Sequence, residues 1–458
     1  MAGGAAISKN TQSMASPSAT LNLELITYEH ARGYLLETGA GYWAKNQKLI
    51  EMLPVSRSSN STENVFVSIP LPDWAADLGV NAPASLLVDT SCIIDGDEPE
   101  WKRCDWWRAA ICHLMGSKER GHENQYGSAH SSASKLAPSV GLYDHAWVNR
   151  IFMFLRRWAA RIAREPEDTM FGPAPMPKLY LEHDVDYLTK TIPHRLKRLV
   201  VDFKSTVAGG TWLSATDILG RCKKSVLMAV LPANYDCLEE MAQLEERFNV
   251  RSRFYLYAGL ATKTKRSWLI DPGYKLSDNL IQKLQRLVSS GWKLGLHPGF
   301  YTWNDIDALR IEKKALEERL NLEITHCRQH WLKFSWGDTW NAQSAAGLKV
   351  DATLGFNDRA GFRNGAALRF RPLFSQGDID SKFNAVPMIA MDSHFFDAKQ
   401  TTQAAREAML SRYLDELRFV GGEAVIVWHQ RSLHPDYGWG GLYEYLLENA
   451  AEMIAMPE

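Results

Sequence analysis

The sequence predicts an α/β protein: a parallel, barrel-like sheet in the second half, preceded by a smaller mixed α/β domain. Three observations lead there. Beyond residue 178, seven short apolar runs (178–182, 252–257, 293–297, 326–331, 350–354, 385–391 and 424–428) alternate with helical patterns near 194–206, 236–248, 277–290, 305–320, 338–347, 402–419 and 441–455. Strands alternating with helices read as βαβ units around a parallel sheet. The stretch from Pro166 to Pro177 carries four prolines and a glycine, which punctuate a chain rather than build elements. Five of the apolar runs end on Asp, His or Arg, and in barrels of this kind the C-terminal strand ends carry the chemistry.

Taken in order, residues 1–20 are rich in Ala, Ser and Gly and lack an apolar core, so they read as a disordered leader rather than a signal peptide. Residues 21–165 form an accessory domain with strands at 65–70 and 84–89 and a helix at 106–115. The polar stretch Glu119 to Ser139 reads as an exposed loop, with His122 and His130 as solvated loop histidines. From Asp144 to Ala163, Val148, Ile151, Phe152, Leu155, Trp158, Ala159 and Ile162 form a helical apolar stripe. Arg156, Arg157, Arg161 and Arg164 decorate the solvated side. Residues 166–177 are the linker and 178–458 the barrel.

Bulk composition narrows the function. With 45% hydrophobic and 23% charged residues, the 458-residue chain is an ordinary globular one. A net charge of −1 provides no basic field for nucleic acid or an anionic membrane surface. No window approaches a spanning helix. Six cysteines without a CxxC pair exclude a disulfide framework and a zinc knuckle, so free thiols in a cytoplasmic protein are expected. The 16 Trp are the deviation, and several lie near the polar motifs of the second half. Indole faces stack on sugar rings, and they also fill cores.

The first barrel strand ends in His183-Asp184-Val185-Asp186. Strand side chains alternate, so Asp184 and Asp186 share one face and His183 takes the other. Two carboxylates on one face are tolerated when a cation lies between them or one holds a proton. This suits metal-assisted hydrolysis, with one carboxylate as ligand and one as base. Later runs end in Lys293-Leu-Gly-Leu-His297-Pro298, in His326-Cys-Arg328-Gln-His330-Trp331, near Asp392 and His394, and in Val427-Trp428-His429-Gln430.

This ordered set, over roughly residues 175–440, resembles the polysaccharide deacetylases of carbohydrate esterase family 4. Asp184 and Asp186 match the family's paired aspartates with one residue inserted. His297 matches the first half of its His-x-x-x-His motif, and Tyr301 stands where the second His belongs. Arg328 and Trp331 match its Arg and aromatic, with His330 where Pro is usual, and His429 matches its terminal Leu-x-His. Stretches such as Arg-Gln-His-Trp-Leu, Asp351 to Asn364 and Trp-His-Gln, with Asp105-Trp106-Trp107 upstream, are similar to a bacterial capsule and exopolysaccharide subgroup with an extra N-terminal domain.

The resemblance implies a distorted (β/α)7-type barrel and removal of an N-acetyl group from an amino sugar. It implies a divalent metal, zinc first, with Co2+, Ni2+ or Mn2+ as related choices. Asp186 and His297 are the expected ligands. His330 is the first choice for the third, with Tyr301, His394 or a water as alternatives. Asp184 takes the proton from the attacking water, Arg328 holds Asp184 ionised by lowering its pKa, and His429 protonates the leaving nitrogen. Asp392 orients His429 or meets substrate. Trp331, Trp336, Trp428, Trp439 and Tyr301 are candidate walls of a sugar groove. Asp351, Asp358, Arg359 and Arg363 form a charged segment that binds substrate or makes surface ion pairs.

The expected partner is an N-acetylated saccharide or a sugar-linked precursor in the cytoplasm. Two other readings stay open: an amide hydrolase on the same fold, opening cyclic amides or removing formyl groups, and a non-catalytic glycan-binding scaffold. The sequence does not set the oligomeric state.

Overall fold

A computed structural model describes residues 21–43, 45–136, 141–189, 233–259, 270–374, 382–396 and 402–458. The expected leader at 1–20, the helix at 194–206 and Cys222 lie outside the described residues. The five other cysteines are buried and free.

Two strands in the N-terminal domain, β1 (Phe66–Pro70) and β2 (Ser85–Asp89), form an antiparallel pair. The remaining strands are β3 (Pro177–Val185), β4 (Arg253–Leu256), β5 (Lys293–Leu296), β6 (His326–Cys327), β7 (Val350–Asp351), β8 (Asn384–Ala385), β9 (Met388–Met391) and β10 (Gly422–Val427). They form one parallel sheet in the order β8-β7-β6-β5-β4-β3-β10-β9. Its two edges, β8 and β9, are consecutive pieces of one run, so the sheet closes on itself. The break falls at Pro387, which has no N–H to give to a ladder. Bonding continues on both sides of it, from Val386 N–H to Asp351 O and from Met388 N–H to Leu354 O, both 2.9 Å. The predicted strand 385–391 is therefore a bent stave, and the barrel has the seven-strand character expected of it.

Both faces of β3 are covered, as parallel strands require. Leu179, Leu181 and Val185 pack outward against the helices. Tyr180 points inward with Val350, Val386, Met388, Val425 and Val427. The helices begin where the sequence supplies caps: Ser277, Asp305 and Thr402 accept N–H bonds from Leu280, Ala308 and Ala405. The last helix ends at Asn449, short of the predicted 455. Residues after it bond alongside β3 instead, Leu179 N–H to Met453 O at 2.8 Å and Ala455 N–H to Leu179 O at 2.9 Å. Entry into β10 depends on Gly422. Its φ is +92°, and a Cβ there would lie 2.0 Å from Ala367 O.

Two expectations about the N-terminal domain are corrected. Residues Ser117–Tyr126 are a helix, not loop, and Glu119 and Arg120 on it are buried. Arg156 is not on a solvated face: it is buried, donating to Tyr42 O at 2.9 Å and Asp168 at 3.0 Å. The N-terminal apolar core continues into the barrel chain through Phe334, Trp336, Trp340, Leu354 and Phe356.

Candidate active site

At the C-terminal end of β3 the side chains of Glu182, Asp184 and Asp186 follow one another at the strand period, and all three are buried. His183 takes the opposite face as expected. Its Nδ1 meets Trp428 O at 2.5 Å and its Nε2 meets Glu245 at 2.8 Å. Glu245 also accepts from Ser252, Trp292 and Tyr443, so this outward network is satisfied within itself.

Inside the barrel, Asp186 divides its two oxygens. Oδ1 faces His297 Nε2 at 3.3 Å and His330 Nε2 at 3.7 Å and has no hydrogen bond of its own. Oδ2 accepts from Arg431 Nη1 at 2.7 Å and lies 3.5 Å from His429 Nε2. Each imidazole is fixed through its other nitrogen: His297 Nδ1 lies 2.7 Å from Arg328 O, and His330 Nδ1 lies 3.3 Å from Asp271 Oδ1. That leaves both Nε2 atoms turned toward an orphaned, buried carboxylate oxygen. Ligand atoms of Asp186, His297 and His330 lie within 4.8 Å of one another. One carboxylate and two oriented imidazoles fit a zinc-type divalent ion.

The charges agree with that fit. Burial works against ionising Asp186, yet Arg431, His297 and His429 hold it well below the usual carboxylate range. Burial also opposes charge on His297, but Asp184 and Asp186 raise it to about 9. The field that draws a proton there also favours a cation. Burial lowers His330 despite its bond to Asp271, leaving a neutral ring of the kind that ligates.

Arg328 lies on the floor of the site, fully buried, with its guanidinium 4.7 Å from the Tyr255 ring. Gly295 makes room for that ring, since a Cβ would meet Tyr255 at 2.6 Å. Arg328 donates to Glu182 and to Ala352 O at 2.6 Å, and its Nε lies 2.9 Å from Asp184 Oδ1. The Nε contact is off the N–H axis, and neither atom makes a hydrogen bond. The expected lowering of the Asp184 pKa is corrected. Complete burial raises it to about 6 despite His297 and His429. His429 is held by Asp392, whose Oδ1 is 2.8 Å from Nδ1.

The predicted groove residues divide. Trp331 and Tyr301 are exposed, and Lys333 Nζ sits over the rings of Phe300, Tyr301 and Trp303 at 4.2, 5.1 and 5.3 Å. His130, expected in solvent, is half-buried against Trp303. Trp336, Trp428 and Arg363 are corrected as groove residues. Trp336 is buried against Trp340 and Phe334. Trp428 is fully buried on the outer face of the barrel against Phe395 and Tyr443. Arg363 is buried in an ion pair with Glu119. Trp439 stacks on Phe396. Asp351 is buried and accepts from Trp340 and Gln343. Asp358 and Arg359 pair with Ser132 and Asp144. His394 has both ring nitrogens occupied, by Met391 N–H and Phe356 O, so it is excluded as a ligand. Tyr301 is 37% exposed, whereas Asp186, His297 and His330 are all buried.

Glu182, Asp271 and Arg431 were missed by the sequence reading. The period-two argument applied to Asp184 reaches Glu182 directly, and Arg431 stands two residues after His429.

No known family model and no curated protein sequence matches the chain. Among solved structures, a candidate polysaccharide deacetylase from Mycobacterium smegmatis is similar at 13% identity and a TM-score of 0.36, covering 62% of this chain and 90% of its own. The Xyl-CE4 domain of a multidomain xylanase from the hindgut metagenome of Trinervitermes trinervoides is similar at 8% identity and a TM-score of 0.25, covering 61% and 81%. A GH57 branching enzyme from Thermococcus kodakaraensis, in complex with glucose, is similar at 9% identity and a TM-score of 0.27, covering 62% and 70%.

Proposed function

We propose that this chain is a metal-dependent hydrolase that removes an N-acetyl group from an amino sugar, in a polysaccharide or glycolipid pathway. The observation that carries the reading is the orphaned Asp186 Oδ1 facing two oriented imidazoles, with Asp184 and the His429–Asp392 pair nearby. Asp186, His297 and His330 would hold the ion, zinc first, with Co2+, Ni2+ or Mn2+ as alternatives. When bound, such an ion lowers the pKa of water and polarises a carbonyl.

Every other role falls to the chain itself. Asp184, with a pKa near 6, is ionised at neutral pH and close enough to it to accept a proton from the attacking water. Arg328 places one positive charge beside the carboxylates of both Glu182 and Asp184. His429, positioned by Asp392, donates a proton to the departing nitrogen. Trp331 and Tyr301, exposed beside the site, offer faces for the sugar rings. The substrate is an N-acetylated saccharide or a sugar-linked precursor, with the cytoplasm as the expected compartment. No described helix is long and apolar enough to cross a membrane.

A second reading, an amide hydrolase working without metal, is favoured by one observation. Arg431 and a protonated His297 together neutralise Asp186 without any ion. Metal analysis and acetate release separate the two. The proposed enzyme releases acetate from N-acetylated amino sugars after Zn2+ or Co2+ loading, loses activity on chelation, and loses at least about a hundredfold in kcat with Asp184→Asn. An active, metal-free preparation sinks the first reading.

A further inference from the structure

Arg431 has no place in the roles of the metal-dependent reading, yet its contact with Asp186, 2.7 Å, is shorter than those of His297, His330 and His429. Its Nη1 is 2.7 Å from Asp186 Oδ2, opposite the oxygen that faces His297 and His330. The guanidinium is not a loose surface group. It lies 5.4 Å from the Tyr187 ring and 6.0 Å from the Tyr437 ring. The turn that carries it, Gln430–Leu433, is anchored by Gln430 Nε2 donating to Tyr187 O at 2.8 Å and Tyr235 O at 3.3 Å. The carboxylates around it are Asp186, Asp392 and Asp184, and its ion pair is to Asp186.

A carboxylate can bind a divalent ion through one oxygen or both. With Oδ2 tied to a cation, Asp186 has only Oδ1 to offer. Asp186 Oδ1 and the Nε2 atoms of His297 and His330 would then be the atoms left to hold an ion, which would leave it room for water and a substrate carbonyl. The guanidinium is also a positive charge a few ångströms from the place of a second cation, and like charges that close in a buried site repel strongly. Groups behind a histidine ligand are acceptors that strengthen its grip, whereas the partner of a carboxylate ligand must be a donor. Arg431 is a charged donor, and it draws charge away from Asp186.

We propose that Arg431 keeps Asp186 a one-oxygen ligand and holds the cation site open and incompletely neutralised, trading metal affinity for the ion's pull on water and carbonyl. Arg431 is a positioning residue that acts through Asp186. The inference rests on the hydrolase reading, because it concerns the ion that reading requires.

The sign of the effect separates this role from simple bracing. Losing a brace disorders Asp186 and weakens metal binding. Losing a repelling cation frees Oδ2 and strengthens it. The measurement is competition for Zn2+ against a chromophoric chelator at fixed pH, with wild type, Arg431→Met, Arg431→Gln and Arg431→Lys, alongside the visible spectrum of each Co2+-loaded protein. Expected are Zn2+ binding about tenfold or more tighter in the Met and Gln variants, and weaker Co2+ absorption as the coordination number rises. Binding near the wild-type value is expected for Arg431→Lys, which keeps the charge. The Gln variant serves if Arg431→Met does not fold. Equal or weaker Zn2+ binding in the folded neutral variants, with superimposable Co2+ spectra, overturns the inference alone. A wild type that takes up no metal overturns it together with the hydrolase reading.

Discussion

Asp392 grips His429 with both carboxylate oxygens: Oδ1 is 2.8 Å from Nδ1, and Oδ2 accepts the backbone N–H of His429 at 2.9 Å. Oδ1 also accepts the N–H of Ser393 at 2.7 Å. Burial opposes charge on Asp392, but His429 and Arg431 keep it below the usual range, so it is a carboxylate that fixes Nδ1 as the donor. Nε2 is thereby presented toward Asp186 and the cleft. With Asp392→Asn the amide can offer an N–H to Nδ1 and reverse the tautomer. We expect kcat for acetate release to fall by about a hundredfold or more with KM changed little. Steady-state kinetics on the variant checks this, and an unchanged kcat removes His429 from proton transfer.

Metal uptake should depend on pH through His297. Asp184 and Asp186 raise its pKa to about 9 against the cost of burial. A ligand must be neutral, so below about 9 the ion displaces a proton. Apparent Zn2+ affinity should rise about tenfold per pH unit from pH 6.5 toward 9 and level off above. Chelator competition across that range measures the slope. A flat profile would overturn the raised His297 pKa or its place as a ligand, and the same titration on His297→Gln tells the two apart.

The strand-end residues were legible because a period of two, applied to a strand ending in Asp184-Val185-Asp186, fixes which side chains converge. The same rule explains two misreadings. His429 faces the cleft, so its neighbour Trp428 had to face out, where it meets Phe395 and Tyr443. Glu182, on the same face as Asp184, had to lie within reach of Arg328. Asp271 carries no such signal, because its contact with His330 comes from a loop distant in sequence. The N-terminal domain was hardest to read for the same kind of reason. Glu119 and Arg363 each look like solvated charges in a local window, but they pair across 244 positions and are buried together. Asp358 likewise caps the turn Ser132 to Ser134.

Trp331 and Leu332 sit at φ +59° and +48°, directly after the candidate ligand His330. Left-handed backbone costs a non-glycine residue on the order of 1 kcal/mol, and a bulky aromatic there is an outlier that calls for a function. The turn presents an indole with 38% of its surface exposed beside the cleft. Trp331→Gly relieves the strain and removes the ring. The expected outcome is stability equal to or up to about 1 kcal/mol above wild type, with KM for an oligosaccharide raised about tenfold. Thermal melts and kinetics on the same preparation test the two halves. A less stable variant with unchanged KM would make Trp331 a packing residue.

Arg150 and Glu416 join the N-terminal domain to the barrel. Arg150 Nε donates to Oε1 at 2.8 Å and Nη2 to Oε2 at 2.6 Å, from the helix Trp147–Ala163 to the helix Gln403–Val420. Burial opposes charge on Glu416, but Arg150 and His145 hold its pKa down to about 2. A carboxyl with a depressed folded pKa contributes stability that is complete above its unfolded value, about 4.3, and is lost as pH falls toward 2. The depression corresponds to on the order of 3 kcal/mol. Arg150→Met leaves Glu416 buried with only His145 and the Ala146 N–H as partners, which costs about 3 kcal/mol at pH 7. Because the low-pH form of wild type has already lost the pair, the gap between the two proteins should narrow between pH 4.5 and 2. Urea unfolding at pH 7 and pH 3 provides the comparison, and a gap of equal size at both values would show that the pair contributes through packing alone.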